Sequence, residues 1–191
     1  MNASLLTMGR CMTGESKKIG LKDRFSPDYQ ASGALIAADK MEIIKAEKGD
    51  KYAAEALRIA RGFKEWFNEN GLKSIETDIF FDNLAVAVEG GEALGFACYS
   101  TYDGVMQLIW LAVERNHQGR GIGTALLKWV ENEARGHGLR LIQIETLPDE
   151  DSYEPYKLTR KFYYDNGFTR IAYKKARLEG WDDQIVLEKR L

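Results

Sequence analysis

The sequence predicts an α/β domain built on a mixed, mainly antiparallel sheet, and two observations carry that prediction. Strand-type apolar runs and helically spaced stretches alternate in the order strand, helices, three strands, helix, strand, helix, two strands. Within that order, the three consecutive strands are joined by Glu89-Gly90-Gly91-Glu92 and Asp103-Gly104, connections too short for a crossover helix. A doubly wound parallel sheet needs a crossover of a dozen or more residues between successive strands, so it is excluded for this part of the chain.

Residues 1–40 scatter Gly9, Gly14, Gly20 and Gly33 among serines and charges, with no period of two or of 3.6 residues. They are expected to form a loosely ordered leader to one domain spanning 41–191. Met41-Glu42-Ile43-Ile44-Lys45-Ala46 is the first strand. Over 51–70, Ala54, Leu57, Ile59, Ala60, Phe63, Trp66 and Phe67 recur mostly at three- and four-residue steps, which gives one or two helices stopped by Asn70-Gly71. Strands 84–88 and 93–102 flank the first glycine turn, and Val105–Val113 follows the second. Ile122, Ala125, Leu126, Trp129, Val130 and Ala134 keep helical spacing up to Gly136-His137-Gly138. A strand at 139–146, an acidic irregular stretch at 148–155 and a helix at 156–166 ended by Gly167 come next, and strands 168–175 and 184–189 close the chain.

At 191 residues, 45% of them apolar, the chain suits one substantial core better than two. Lysine and arginine total 27 against 29 aspartates and glutamates, a balance that gives no reason to expect nucleic acid or a membrane surface as partner. Cys11 and Cys98 suggest neither a disulfide framework nor a thiolate metal site, and His117 and His137 stand without a cluster of carboxylates at ligand spacing. No metal is expected. With no apolar run long enough for a signal core or a membrane span, the chain is expected in the cytoplasm, acting on a small or peptidic partner.

Glycines 119, 121 and 123 bring bare backbone to a strand-to-helix junction, where several amide N–H groups have no helical partner. Those amides and the positive end of the helix dipole favour a phosphate. A tight turn that lets the helix pack closely is the plainer alternative. A dinucleotide fingerprint beginning at Gly119 requires glycine or alanine where Thr124 stands, and the Gly-Lys-Ser/Thr of a nucleotide phosphate loop is absent.

Leu111-Ala112-Val113, a short polar connection and then Gln118-Gly119-Arg120-Gly121-Ile122-Gly123 resemble the acetyl-CoA signature of the GNAT superfamily of N-acetyltransferases, Gln/Arg-x-x-Gly-x-Gly/Ala. Phe162-Tyr163-Tyr164-Asp165-Asn166-Gly167-Phe168 resembles that superfamily's Phe-Tyr-x-x-x-Gly-Phe segment. The resemblance covers about 41–191. It implies a GNAT-type fold with splayed central strands flanked by helices, and transfer of acetyl from acetyl-CoA to a primary amine of a small molecule or peptide. It further implies that backbone near Leu111, Ala112 and Val113 pairs with the pantetheine arm. Amides from Gln118 to Thr124 would take the pyrophosphate, Arg120 would add a charge-assisted contact, and an N–H near Val113 would polarise the thioester carbonyl.

Under the same resemblance Tyr163 matches the usual acid for the departing thiolate, its alternative being an aromatic that packs the last helix. Glu145, near the end of its strand, is the first candidate for the base, ahead of Glu76 and Asp78; each is otherwise a surface carboxylate. Where many relatives carry asparagine this chain has Tyr156, which either offers a hydroxyl to the CoA arm or packs. Asp149, Glu150, Asp151 and Glu154 form either a solvated acidic turn or a lip for a cationic amine, and His117 is expected to be a loop residue. Trp110, Trp66 and Phe67 either line an acceptor pocket or fill the core. The alternative from another class is a CoA-binding regulatory module with little turnover, and a homodimer through the last strands is open.

Overall fold

The computed structural model describes residues 6–8, 40–63, 66, 69–150, 154–177 and 182–191. Its elements are β1 (Leu6–Met8), β2 (Glu42–Ala46), α1 (Lys51–Arg61), α2 (Glu69–Phe81), β3 (Asn83–Glu89), β4 (Glu92–Tyr102), β5 (Val105–Val113), α3 (Ile122–Gly136), β6 (Leu141–Thr146), α4 (Glu154–Asp165), β7 (Thr169–Lys174) and β8 (Gln184–Arg190). The strands lie in the order β2-β3-β4-β5-β6-β8-β7, with β1 added to β5. Among the described strands only β5 and β6 run parallel. The mixed, mainly antiparallel α/β architecture is the one predicted.

The meander forms where the turn chemistry places it. Gly90 and Gly91 (φ 60° and 80°) and Asp103 and Gly104 (φ 52° and 74°) adopt the positive φ that two-residue hairpins need. Asp50 caps α1, its carboxylate accepting from the amides of Tyr52 at 2.7 Å and Ala53 at 3.3 Å. Asn70-Gly71, expected as a helix stop, instead falls in the first turn of α2. There the amides lack helical partners in any case, so glycine costs little, and Gly71, Ile75 and Ile79 turn one buried face inward at four-residue steps.

Across β3 to β5 both faces of the sheet are covered, which explains the near-continuous apolar runs of these strands. Leu84, Val86, Val88, Trp110 and Ala112 pack with Ala56, Ile59, Phe63 and Ile75 of the α1–α2 layer. Ala85, Ala87, Leu111 and Val113 face Ile122, Leu126 and Val130 of α3 on the other side. The α1–α2 layer contains no residue of β6, β7 or β8, so the helices on that face stop short of the last three strands.

Two irregularities open the middle of the sheet. Trp110 pairs with Cys98 and Leu108 with Tyr99, which leaves Ile109 as an extra residue on β5, a bulge that bends the strand. Alongside, β5 and β6 share only the pairs Met106–Ile142 and Gln107–Gln143. Beyond them the strands part. Into that separation comes β1, drawn from the segment expected to be a loose leader: Leu6 pairs with Ala112, Thr7 with Leu111 and Met8 with Trp110.

Candidate active site

The loop from β5 to α3 is closed by its own glutamine. Gln118 is buried and its Nε2 donates to the Val113 carbonyl at 3.0 Å, which folds the chain back on the end of the strand. Gly119 and Gly121 follow with φ of 78° and 82°, a backbone region that side chains resist. Gly121 caps α3 and the first helical bond runs from the Ala125 amide to its carbonyl at 3.0 Å, so the amides of Ile122, Gly123 and Thr124 lie ahead of the ladder. A Cβ built at Gly121 meets nothing within 4 Å. The result is an open cradle of N–H groups at the positive end of a 15-residue helix, a fit for a phosphate.

Arg120 points to a carboxylate neighbour. Its Nη2 donates to both oxygens of Glu89 at 2.8 and 3.0 Å, and its Nη1 reaches His117 Nδ1 at 2.8 Å. Since a guanidinium only donates, that ring nitrogen is an acceptor. His117 also lies 3.9 Å from Glu114, so it belongs to a surface chain of charges flanking the cradle.

Tyr163 is wholly buried on α4, its ring edge-on to Phe162 and Phe168 at centroid distances of 5.0 and 5.4 Å. It shares a cluster with Leu111 and Val113 of β5 and Ile144 of β6. Its hydroxyl has no hydrogen-bond partner among the described residues, and burial pushes its pKa well up. Its neighbour Tyr164 turns the other way, donating to the Asp149 carboxylate at 3.0 Å; burial and that carboxylate raise it to about 12. Thr146 Oγ1, at the end of β6, is a second buried polar atom without a partner.

Three expectations meet competing contacts. The backbone edge at Leu111 and Ala112, expected to receive a pantetheine arm, carries β1. Tyr156 is buried against Trp66 at 5.0 Å, and both belong to the α1–α2 core. Asp149 and Glu150 are bound by Arg160 and Arg170, so these two carboxylates form a tied turn and not a free acidic lip. Asp151 and the side chain of Glu154 lie outside the described residues, as does Phe67.

Where the α1–α2 layer ends, a cavity of about 730 Å³ opens, lined by Asp78, Asp82, Gln107, Ile109, Glu145 and Gln184. Lys174, Lys175 and Arg177, at and beyond the end of β7, form its far wall. Of the three carboxylates proposed for the base, Asp78 and Glu145 reach this cavity, whereas Glu76 sits beside Arg61 at 4.0 Å, away from it. Glu145 is engaged by the Lys174 ammonium. Asp78 is oriented by Trp110, whose Nε1 donates to it at 2.7 Å, and this bond gives the buried tryptophan its partner. Asp82, Lys174, Arg177 and Gln184 were not singled out in the sequence. Their convergence depends on β8 lying between β6 and β7, and no local pattern encodes that order.

No helix among the described residues is long and apolar enough to cross a membrane. No curated protein matches the sequence. Solved structures do match the fold: a GNAT-family protein from Desulfovibrio desulfuricans superposes with a TM-score of 0.68 at 24% identity, over 79% of this chain and 99% of that one. The ribosomal-protein-S18-alanine N-acetyltransferase of Escherichia coli gives 0.61 at 18%, over 79% and 94%. A GNAT acetyltransferase from Elizabethkingia anophelis with acetyl-CoA bound gives 0.60 at 21%, over 79% and 98%. The model of the acetyltransferase (GNAT) family matches residues 49–168, a span that contains both the glycine cradle and the tyrosine of α4; the chain therefore belongs to the GNAT acetyltransferase family.

Proposed function

We propose that this protein transfers the acetyl group of acetyl-CoA to a primary amine by direct attack, in the cytoplasm, through a domain spanning 41–191. The observation that supports it best is the buried Tyr163 hydroxyl, which lacks a partner among the described residues in an otherwise apolar cluster shared with Leu111 and Val113 of β5 and Ile144 of β6. An orphaned buried hydroxyl costs about 1–3 kcal/mol, a cost that a ligand atom arriving there removes.

Bound acetyl-CoA supplies an acyl group already activated as a thioester. Gln118 holds the cradle closed, and the amides of Ile122, Gly123 and Thr124 take the pyrophosphate, with Gly119 and Gly121 allowing its approach. The β5 edge at Leu111, Ala112 and Val113 orients the acyl arm once β1 yields it, and an amide near Val113 stabilises charge developing on the carbonyl oxygen. Arg120 lies beside the cradle but is held in an ion pair by Glu89, so the backbone amides carry the pyrophosphate and Arg120 adds a contact to it only by leaving that carboxylate. Tyr156 serves by packing. Tyr163 Oη stays protonated at neutral pH and donates to the departing sulfur. Asp78 receives the acceptor's ammonium, takes one proton from it so that the neutral amine attacks, and passes that proton to solvent water at the cavity, a role for which Glu145 is less suited while Lys174 holds it.

Acceptor chemistry among the structural neighbours supports an amine: one is named as acting on an alanine of ribosomal protein S18, and another is an aminoglycoside 6'-N-acetyltransferase complexed with coenzyme A. The test is release of free thiol from acetyl-CoA across a panel of amines, with the acetylated product identified by mass. Amine-dependent release supports the transferase. One observation favours a second reading, a CoA-binding regulatory module: β1 lies on the edge that the acyl arm requires. Cofactor binding without turnover on any amine would select it.

A further inference from the structure

We infer that the cavity beside β6 to β8 takes an amine that also carries a carboxylate, an amino-acid-like acceptor. This rests on the acetyl-transfer reading above and gives it a substrate class. Side-chain alternation sets the chemistry of the cavity: Glu145 pairs in register with Val186, and Lys174 with Gln184, so Glu145, Lys174 and Gln184 share the face that α1 and α2 leave open. Asp78 of α2 is bonded to Trp110 of β5, with Asp82 just beyond α2, whereas Lys175 and Arg177 follow β7, and β6 and β8 lie between β5 and β7 in the sheet; the acidic and the cationic residues therefore enter the cavity from opposite sides.

Between these ends the ion pair of Glu145 with Lys174 cancels its own charges. Asp82 and Asp182, both at the lining, are each engaged by another interaction of their own, which leaves Asp78 as the carboxylate that faces the ligand. Arg177 makes no ion pair among the described residues, and Lys175 shows only a longer-range attraction to Asp183. Gln184 supplies an independent observation: it is 9% exposed, lines the cavity in register with Lys174, and its Nε2 is buried without a hydrogen-bond partner among the described residues. A donor in that state calls for an acceptor oxygen.

The two ends select opposite charges on one ligand. An ammonium is drawn to Asp78, and a carboxylate to the planar guanidinium of Arg177, to Lys175 and to the Gln184 amide. A diamine of similar length would set its second cation against Lys175 and Arg177, a like-charge contact that disfavours it. The volume of about 730 Å³ leaves room for a side chain or a further residue beyond the reacting amine.

Matched probes test this on the full chain: lysine against cadaverine and phenylalanine against phenethylamine, compared by thiol release and, with CoA present, by calorimetric binding. The expected result is a kcat/KM preference of about tenfold for the carboxylate-bearing member. Arg177→Gln should raise the KM of lysine and of phenylalanine by a similar factor and should improve the use of cadaverine, whose second cation it no longer repels, so that the preference for the carboxylate-bearing member narrows. Equal or better use of cadaverine and phenethylamine would overturn the assignment while leaving acetyl transfer intact. If no amine is turned over, acetyl transfer falls; Arg177-dependent binding of the amino acids then still upholds the cavity's selectivity, and binding that ignores Arg177, or none, removes it.

Discussion

Tyr163 and Tyr164 are adjacent on α4 and have opposite fates. One hydroxyl is buried without a partner and the other donates to Asp149 at the surface. Successive helical side chains point about 100° apart, so the sequence motif that selects the first position also makes the second a natural control. Tyr163→Phe is expected to lower kcat by about 10²-fold with CoA affinity nearly unchanged. Tyr164→Phe should keep kcat near wild type and cost about 1 kcal/mol of stability, read by denaturant unfolding. Equal, small effects on kcat would remove Tyr163 from the chemistry. At this scale the sequence showed Tyr163 and the glycines through motif position. It did not show that Glu145 is engaged, because its partner lies 29 residues away on a strand reached only through β8.

Among the elements, the β5–α3 junction is the proposed phosphate cradle and the β4–β5 pair holds it in place. Gly121→Ala introduces a methyl at φ 82°, which costs about 1–2 kcal/mol of backbone strain, yet that methyl meets nothing in the protein itself. Stability should therefore fall slightly, whereas the CoA dissociation constant should rise well beyond what lost stability explains; unchanged affinity in titration would move the phosphate elsewhere. Gly95 works differently, through close approach: a Cβ there would stand 2.7 Å from the Ala112 carbonyl. Gly95→Ala should separate β4 from β5 and destabilise the fold by about 1–3 kcal/mol, seen as a lower thermal midpoint. The hairpins were legible because glycine turns announce them, and α3 because its apolar stripe is regular. By contrast, α2 was hidden because Asn70-Gly71 has the composition of a stop, and only burial of Gly71 against the core reveals its other use. Nor does a three-residue strand such as β1 carry a period long enough to detect.

For the molecule as a whole, the order of elements was sufficient to predict the architecture, since two glycine hairpins and one helix crossover leave few ways to assemble the sheet. The cavity was not predictable in the same way. It arises where two helices cover only part of one face, and its charges come from α2, β6, β7 and β8, brought together by a strand order that departs from chain order. The edge strand β7 is exposed along its whole length, with Ile171 and Tyr173 both about half exposed, and a second copy pairing there would form a homodimer through the last strands. Light scattering over a range of concentrations would show it as a doubling of mass.

The position of β1 has an energetic meaning of its own. A strand tethered to the same chain competes for the β5 edge at a local concentration that dilution does not change, unlike any competitor free in solution. Acetyl-CoA would then bind only the fraction of molecules in which the tether has let go; if that fraction were about one tenth, the measured dissociation constant would be about ten times the intrinsic one. Thr7→Pro in the full chain removes an amide donor from β1 and should recover most of that difference. Saturation would thus depend on how tightly the first strand holds as well as on how much acetyl-CoA is present, which makes the tether an adjustable threshold on a site whose own residues stay the same.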